Sequence, residues 1–184
     1  MAEFADLEAL IGPPEFSPPR VQWDRLESEL GIAFPADFKR LANMYPSLKF
    51  DDFLGLFNPG FPSDPSMAAR EFMDVLKPLR LRLEGEQWID VVDSSGNRST
   101  MPPYPIYPQH RGVLQWGMTD NGDRCLWLTR GEPDDWTIII ERGLWWHFPG
   151  GLVDFLVGIL RRQIRCPLFP EDFPESVSVI QSLD

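Results

Sequence analysis

Cysteine is scarce in this chain: 184 residues include only two, Cys125 and Cys166. They form no C-x-x-C pair, so neither a zinc site nor a disulfide framework is expected. Cys125, between Arg124 and Leu126 in a strand-like run, reads as a buried free thiol. Long apolar runs are missing too. The longest stretches, within residues 152–160, are interrupted by Asp154 and Gly158, well short of the roughly 20 residues a membrane span requires. The start, "MAEFADLEAL", is acidic and lacks the basic, apolar, small-residue order of a signal peptide, so a cytoplasmic protein without membrane partners is expected. The sequence also has no G-x-x-x-x-G-K, G-x-G-x-x-G, G-x-S-x-G or H-E-x-x-H, and only two histidines.

Basic residues are in the minority, 17 against 28 acidic, for a net charge of −11. A chain this acidic repels phosphate backbones, which argues against a nucleic-acid partner. It attracts basic proteins and speeds encounter with them, although the same charge also serves solubility.

Apolar and aromatic side chains are plentiful. Forty-three per cent of residues are apolar, with seven tryptophans and thirteen phenylalanines, enough for one well-packed domain. The organisation expected is a tail over residues 1–19, a domain over 20–166, and a C-terminal extension over 167–184 that packs on the domain or trails from it.

Prolines at 13, 14, 18 and 19 make the lead-in extended. Ser17 offers a cap with Pro18 at the first helical position. Trp23, Leu26 and Leu30 follow at helical spacing, and Gly31 is placed to end the helix. A second helix starts at Pro35, with Asp37 in its first turn and Phe38, Leu41 and Tyr45 on one face, and stops at Pro46. "DDFLGLFNPG" (51–60) reads as a short strand and a turn. A third helix starts at Asp64–Pro65 and buries Ala68, Phe72, Val75, Leu76 and Leu79, with Pro78 as a kink or stop. Residues 83–111 carry weak signals, apart from the extended "MPPYPIYPQ". From Val113 come four strands, "GVLQWGM", "RCLWLT", "DWTIIIE" and "LWWHF". A last helix, "GGLVDFLVGILRRQI" (150–164), carries arginines at its dipole-favoured end. Helices, then strands, then a helix make an α+β fold, an antiparallel sheet flanked by helices.

The stretch "TDNGDRC" (119–125) can be a calcium loop, part of an acid/base pair, or a turn. With Gly122 as the sixth residue of an EF-hand loop, the first and twelfth ligands would be Gly117 and Leu128, which cannot coordinate. Asn-Gly between apolar strands is the strongest short hairpin signal, so a type I′ turn is expected. It pairs Asp120 with Asp123, Met118 with Cys125 and Trp116 with Trp127, and places Leu114, Trp116, Met118, Cys125 and Trp127 on one face.

Neither a cofactor nor a metal site is expected. Asp120 and Asp123 at the hairpin tip, together with Glu132, Asp134 and Asp135 in "RGEPDDW", suggest an acidic edge for a basic partner; solvated loops are the alternative. Trp136 and Trp146 are candidate anchors in the same interface, because Trp145 and Trp146 on one strand must face opposite ways; a second packed layer is the alternative. His110 and His147 read as loop and strand residues.

"VQWDRLESELGIAFPADFKRLANMYP" resembles the opening of the SMI1/KNR4, or SUKH, superfamily. "YPQHRGVLQWGMTDNGDRCLWLTRGEPDDWTIIIE" is similar to its central strands, and "GGLVDFLVGILRR" to its closing helix. Trp23, Gly31, Pro35, Phe38, Trp116, Asp120, Gly122, Asp123 and Trp127 match its shared positions, which are core and turn positions, so no catalytic residues carry over. The resemblance implies a sheet flanked by helices. It also implies, as in many bacterial members, an immunity protein that blocks a cognate toxin, possibly a nuclease. Other members are regulatory or scaffolding modules. The expected protein is thus a non-enzymatic monomer or homodimer with a basic toxin as partner. The competing readings are a scaffold module and a hydrolase using His110 or His147.

Overall fold

The structure is a computed structural model that describes residues 2–61 and 63–182. Among these, nine strands form one sheet: β1 (Ser47–Phe50), β2 (Leu54–Leu56), β3 (Ile89–Val92), β4 (Arg98–Met101), β5 (Val113–Thr119), β6 (Arg124–Leu128), β7 (Thr137–Glu141), β8 (Trp145–Phe148) and β9 (Val179–Ser182). Their order is β4-β3-β8-β7-β6-β5-β2-β1-β9, antiparallel throughout except for β3 against β8. With six helices, α1 (Phe4–Ile11), α2 (Trp23–Leu30), α3 (Ala36–Met44), α4 (Pro65–Asp74), α5 (Lys77–Leu83) and α6 (Leu152–Leu160), this is the α+β architecture expected.

Local signals set many of the boundaries. Gly31 ends α2 with φ +72°, a left-handed cap. Asp64 accepts from Ser66 N at 3.0 Å and starts α4. Elsewhere the boundaries move. Residues 4–11, expected to lie in a tail, form α1 instead. The carboxylates of Glu3 and Asp6 cap its start, and buried Leu7 and Ile11 pack it against α6. The prolines at 13 and 14 only stop this helix; they do not forbid it. Helix α2 starts at Trp23 rather than Pro18, without a side-chain cap. Pro78 sits in the first turn of α5, so it begins a helix rather than kinking one. Val75 lies at the break and is 38% exposed, off the expected buried stripe. The C-terminal residues pack too: β9 pairs with β1 and Phe169 is buried.

The hairpin after β5 departs from the expected register. Leu114 pairs with Trp127, Gly117 with Cys125 and Met118 with Arg124, around a bulge at Trp116. The loop is three residues, 120–122, closed by Thr119 N to Asp123 O at 3.0 Å. Gly122 alone in this loop takes a positive φ, +83°. Two consecutive left-handed residues, the geometry expected at Asn121–Gly122, occur instead at Asp51 and Asp52. The bulge follows from packing. A Cβ on Gly117 would lie 2.3 Å from the Gly55 carbonyl oxygen of β2, so only glycine permits that approach. The extra residue buries Trp116 and Trp127 together and turns Met118 outward, 43% exposed.

Trp145 and Trp146 face opposite sides, and both are covered. Trp145 meets Tyr104 of the proline-rich segment at 5.4 Å between ring centroids, and Trp146 meets Phe155 of α6 at 6.3 Å. Phe155 also reaches Trp116 at 5.9 Å and Phe148 at 5.8 Å. On the Trp145 side Glu141 is wholly buried. It pairs with Arg124 at 3.1 Å and with Arg82, and so ties α5 to the sheet.

Removing this carboxylate strands two arginines against the sheet. Because both guanidiniums still reach water, the loss expected for Glu141→Ala is near the low end for a broken buried pair, about 3 kcal/mol. Urea unfolding measures it; a loss under about 1 kcal/mol contradicts the clamp.

Candidate binding cleft

After β6 the chain turns through Gly131 and a 3-10 turn, Pro133–Asp135, before β7. This turn reaches the start of α3, where Asp134 Oδ1 accepts from Ala36 N at 2.6 Å. Within α3, Asp37 reaches the start of α6. Its Oδ1 accepts from Phe38 N at 2.6 Å and its Oδ2 from Val153 N at 3.3 Å. Two helix N-termini thus converge, each capped by a carboxylate from another element. Asp154, in the first turn of α6, accepts from Ala2 N. Burial raises the Asp37 carboxyl above its ordinary range. The two backbone N–H groups oppose that shift, and the charges of Asp134 and Asp154 add to it.

Between these groups lies a cleft of 240 Å³, bounded by Asp37 and Asp134, by Pro133 and Gly151, and by the buried indoles of Trp127 and Trp136. Glu132 and Asp135 stand exposed beside it. The Trp127 indole N–H has no hydrogen-bond partner among the described residues. Carboxylate oxygens next to indole rings suit an ammonium or guanidinium group, held by charge and by the ring faces.

Four of the seven nominated residues, Glu132, Asp134, Asp135 and Trp136, gather here. Trp136 belongs to the buried lining rather than to an exposed anchor. Trp146 is buried under α6, with its indole N–H 3.4 Å from Ser94 Oγ, so it cannot contact a partner. Asp123 is wholly buried, not at the tip. Its N–H donates to Thr119 Oγ1 at 3.1 Å, and its carboxylate takes the Thr119 hydroxyl. Burial raises its pKa. Asp120 is exposed at the hairpin tip, 2.9 Å from Lys49 Nζ. Asp120 and Asp134 do not share an edge, because the five residues of β6 (Arg124–Leu128) separate the hairpin tip from the 3-10 turn, about 17 Å of strand.

Sequence reasoning treated Asp37 only as a first-turn acid. In "PADF" and "PDDW" the position of Asp37 matches that of Asp135 and not of Asp134, so no local signal links Asp37 to Asp134. His147 Nε2 lies 2.9 Å from Thr137 Oγ1, and burial lowers its pKa; His110 is exposed. Among the described residues no group of three or more His, Cys, Asp or Glu side chains could hold a metal ion, and no helix is long and apolar enough to cross a membrane. No family model matches the chain, and neither a curated protein nor a solved structure matches it significantly.

The Asp37 shift has a definite sign. Its folded pKa lies above 3.8, so the native state binds the proton more tightly, and ionisation costs stability as pH rises above that value. Asp37→Asn, which keeps an acceptor for Val153 N, is expected to gain stability relative to wild type between about pH 4 and 7. Urea unfolding across that range checks this; a variant that loses ground with rising pH contradicts it.

Proposed function

We propose that this is a cytoplasmic, non-enzymatic binding protein whose acidic cleft takes a basic side chain of a partner. By the resemblance to the SUKH superfamily, that partner is a cognate toxin. The observation that carries the reading is the pairing of Asp37 and Asp134 beside two indoles, flanked by Glu132 and Asp135. A toxin that handles nucleic acid presents lysines and arginines shaped to hold phosphates, and such a surface complements a chain of charge −11. Neutralisation is steric and electrostatic: the bound protein covers the basic surface, and no bond is broken. It acts as a monomer or a homodimer.

The test uses the tagged protein and a Glu132→Lys/Asp135→Lys variant, both exposed positions, to capture partners from the native lysate, with low-salt and then high-salt washes. One stoichiometric basic partner with a toxin-like domain, held by wild type and bound at least tenfold more weakly by the variant, is expected. Several sub-stoichiometric partners favour the regulatory or scaffold reading. Equal retention by both proteins contradicts the cleft as the contact.

A further inference from the structure

The sheet ends in two outer strands, β9 and β4, and the two differ. In β9 the buried Gln181 accepts from Glu15 N at 2.8 Å and donates to the Pro13 carbonyl at 3.0 Å, which ties residues 13–15 to that strand. No side-chain bond of this kind reaches β4 among the described residues, and residues 98–100 are exposed. Asp93 N donates to Asn97 O at 3.0 Å and closes the β3–β4 hairpin. Hydrogen-bonded and non-bonded pairs alternate from there, so Val91–Ser99 and Ile89–Met101 are bonded pairs. The N–H and C=O groups of Arg98 and Thr100 therefore point away from β3, and among the described residues they have no partner.

An open edge is a template for another strand, and the side chains of β4 select which one. When two copies of β4 pair antiparallel about a two-fold axis, three registers bring outward groups together within the strand. Centred on Arg98, the pairing opposes two like charges. Centred on Thr100, it sets Arg98 against Pro102, which has no N–H to give. Centred on Ser99, it sets Arg98 of each copy against Thr100 of the other. All the outward groups are then used, and no like charges meet. Arg98 thus excludes one register without closing the edge.

Charge on the same face fits this register. Asp90 pairs with Thr100, so Asp90, Thr100 and the second copy's Arg98 fall in one row across three strands. With strands about 4.8 Å apart, the outer two of these residues are about 10 Å apart at Cα, a span their side chains can close. Asp90 and Arg98 are both exposed, and neither makes an ion pair among the described residues. The two-fold axis makes the contact twice. Trp88, two residues before Asp90, is 60% exposed, and a tryptophan in such a place is a frequent anchor.

We propose that β4 pairs with β4 of a second copy, antiparallel and centred on Ser99, with Asp90 of each copy facing Arg98 of the other. The sheet continues across the two-fold axis, and the protein is a homodimer rather than a monomer. This pairing depends on neither a toxin nor the acidic cleft.

Sedimentation velocity of the full chain, from about 10 µM to about 1 mM, reads the association. The contact is smaller than a standard interface, so a dissociation constant on the order of 100 µM is expected. Arg98→Asp sets a carboxylate against Asp90 of the second copy and should weaken the dimer about tenfold or more, whereas Asp90→Arg/Arg98→Asp should restore it to within about threefold. Thr100→Pro removes one outward N–H from each copy and should also weaken it about tenfold or more. Monomer alone at the highest concentration overturns the pairing. A dimer that keeps its strength in both Arg98→Asp and Thr100→Pro forms elsewhere and overturns it too. A double variant as weak as Arg98→Asp overturns the register. If Thr100→Pro fails to fold, the wild-type association and the charge swap decide.

Discussion

The packing of the Trp127 indole connects the fold to the cleft. Its ring lies 4.8 Å from Phe38, 5.8 Å from Trp136, 6.0 Å from Phe34 and 6.4 Å from Trp116 between centroids. Those rings come from α3 and the segment before it, from the connection between β6 and β7, and from β5. Each contact adds about 0.5–1.5 kcal/mol beyond burial, but the geometric effect matters more. One side chain fixes the spacing of elements that loops alone would leave adjustable. Trp127 also lines the cleft, so the carboxylates of Asp37 and Asp134 are held by the core rather than by a mobile surface.

The two carboxylates have structural duties as well. Asp134 caps α3 and Asp37 caps α6, and caps of this kind contribute about 1 kcal/mol each. The α3, α6 and 3-10 elements therefore stabilise one another at the point where the acidic residues converge. Glu132 and Asp135 have no such caps to hold and can meet a partner freely in solvent.

Legibility in the sequence followed the range of the interaction. The ends of α2 and α3, the body of α6 and the strands from Val113 onward were readable, because Gly31, Pro46 and the alternating aromatic runs act within a few residues. The register of β5 was not, because the bulge at Trp116 depends on Gly55 of a strand about sixty residues earlier in the chain. Nor was the Glu141 clamp, whose Arg82 partner comes from α5, 59 residues before it. At the site, loop acids and Trp136 could be nominated from composition and turn chemistry. Asp37 could not, since the meeting of two helix N-termini leaves no local pattern. Asp123 misled because its carboxylate folds back onto Thr119, a choice made by burial and not by the turn sequence.

Charge gives the surface its direction, and the cleft gives that charge a place to act. The most direct test is an NMR titration of the full chain with N-acetyl-argininamide, which presents a single guanidinium without a partner's other contacts. The account predicts shifts at the Trp127 indole N–H and at the amides of Ala36 and Val153, weakening as salt is raised. Shifts centred instead on Lys49 and Asp120, or none in the cleft at concentrations that shift other acidic surfaces, would contradict it.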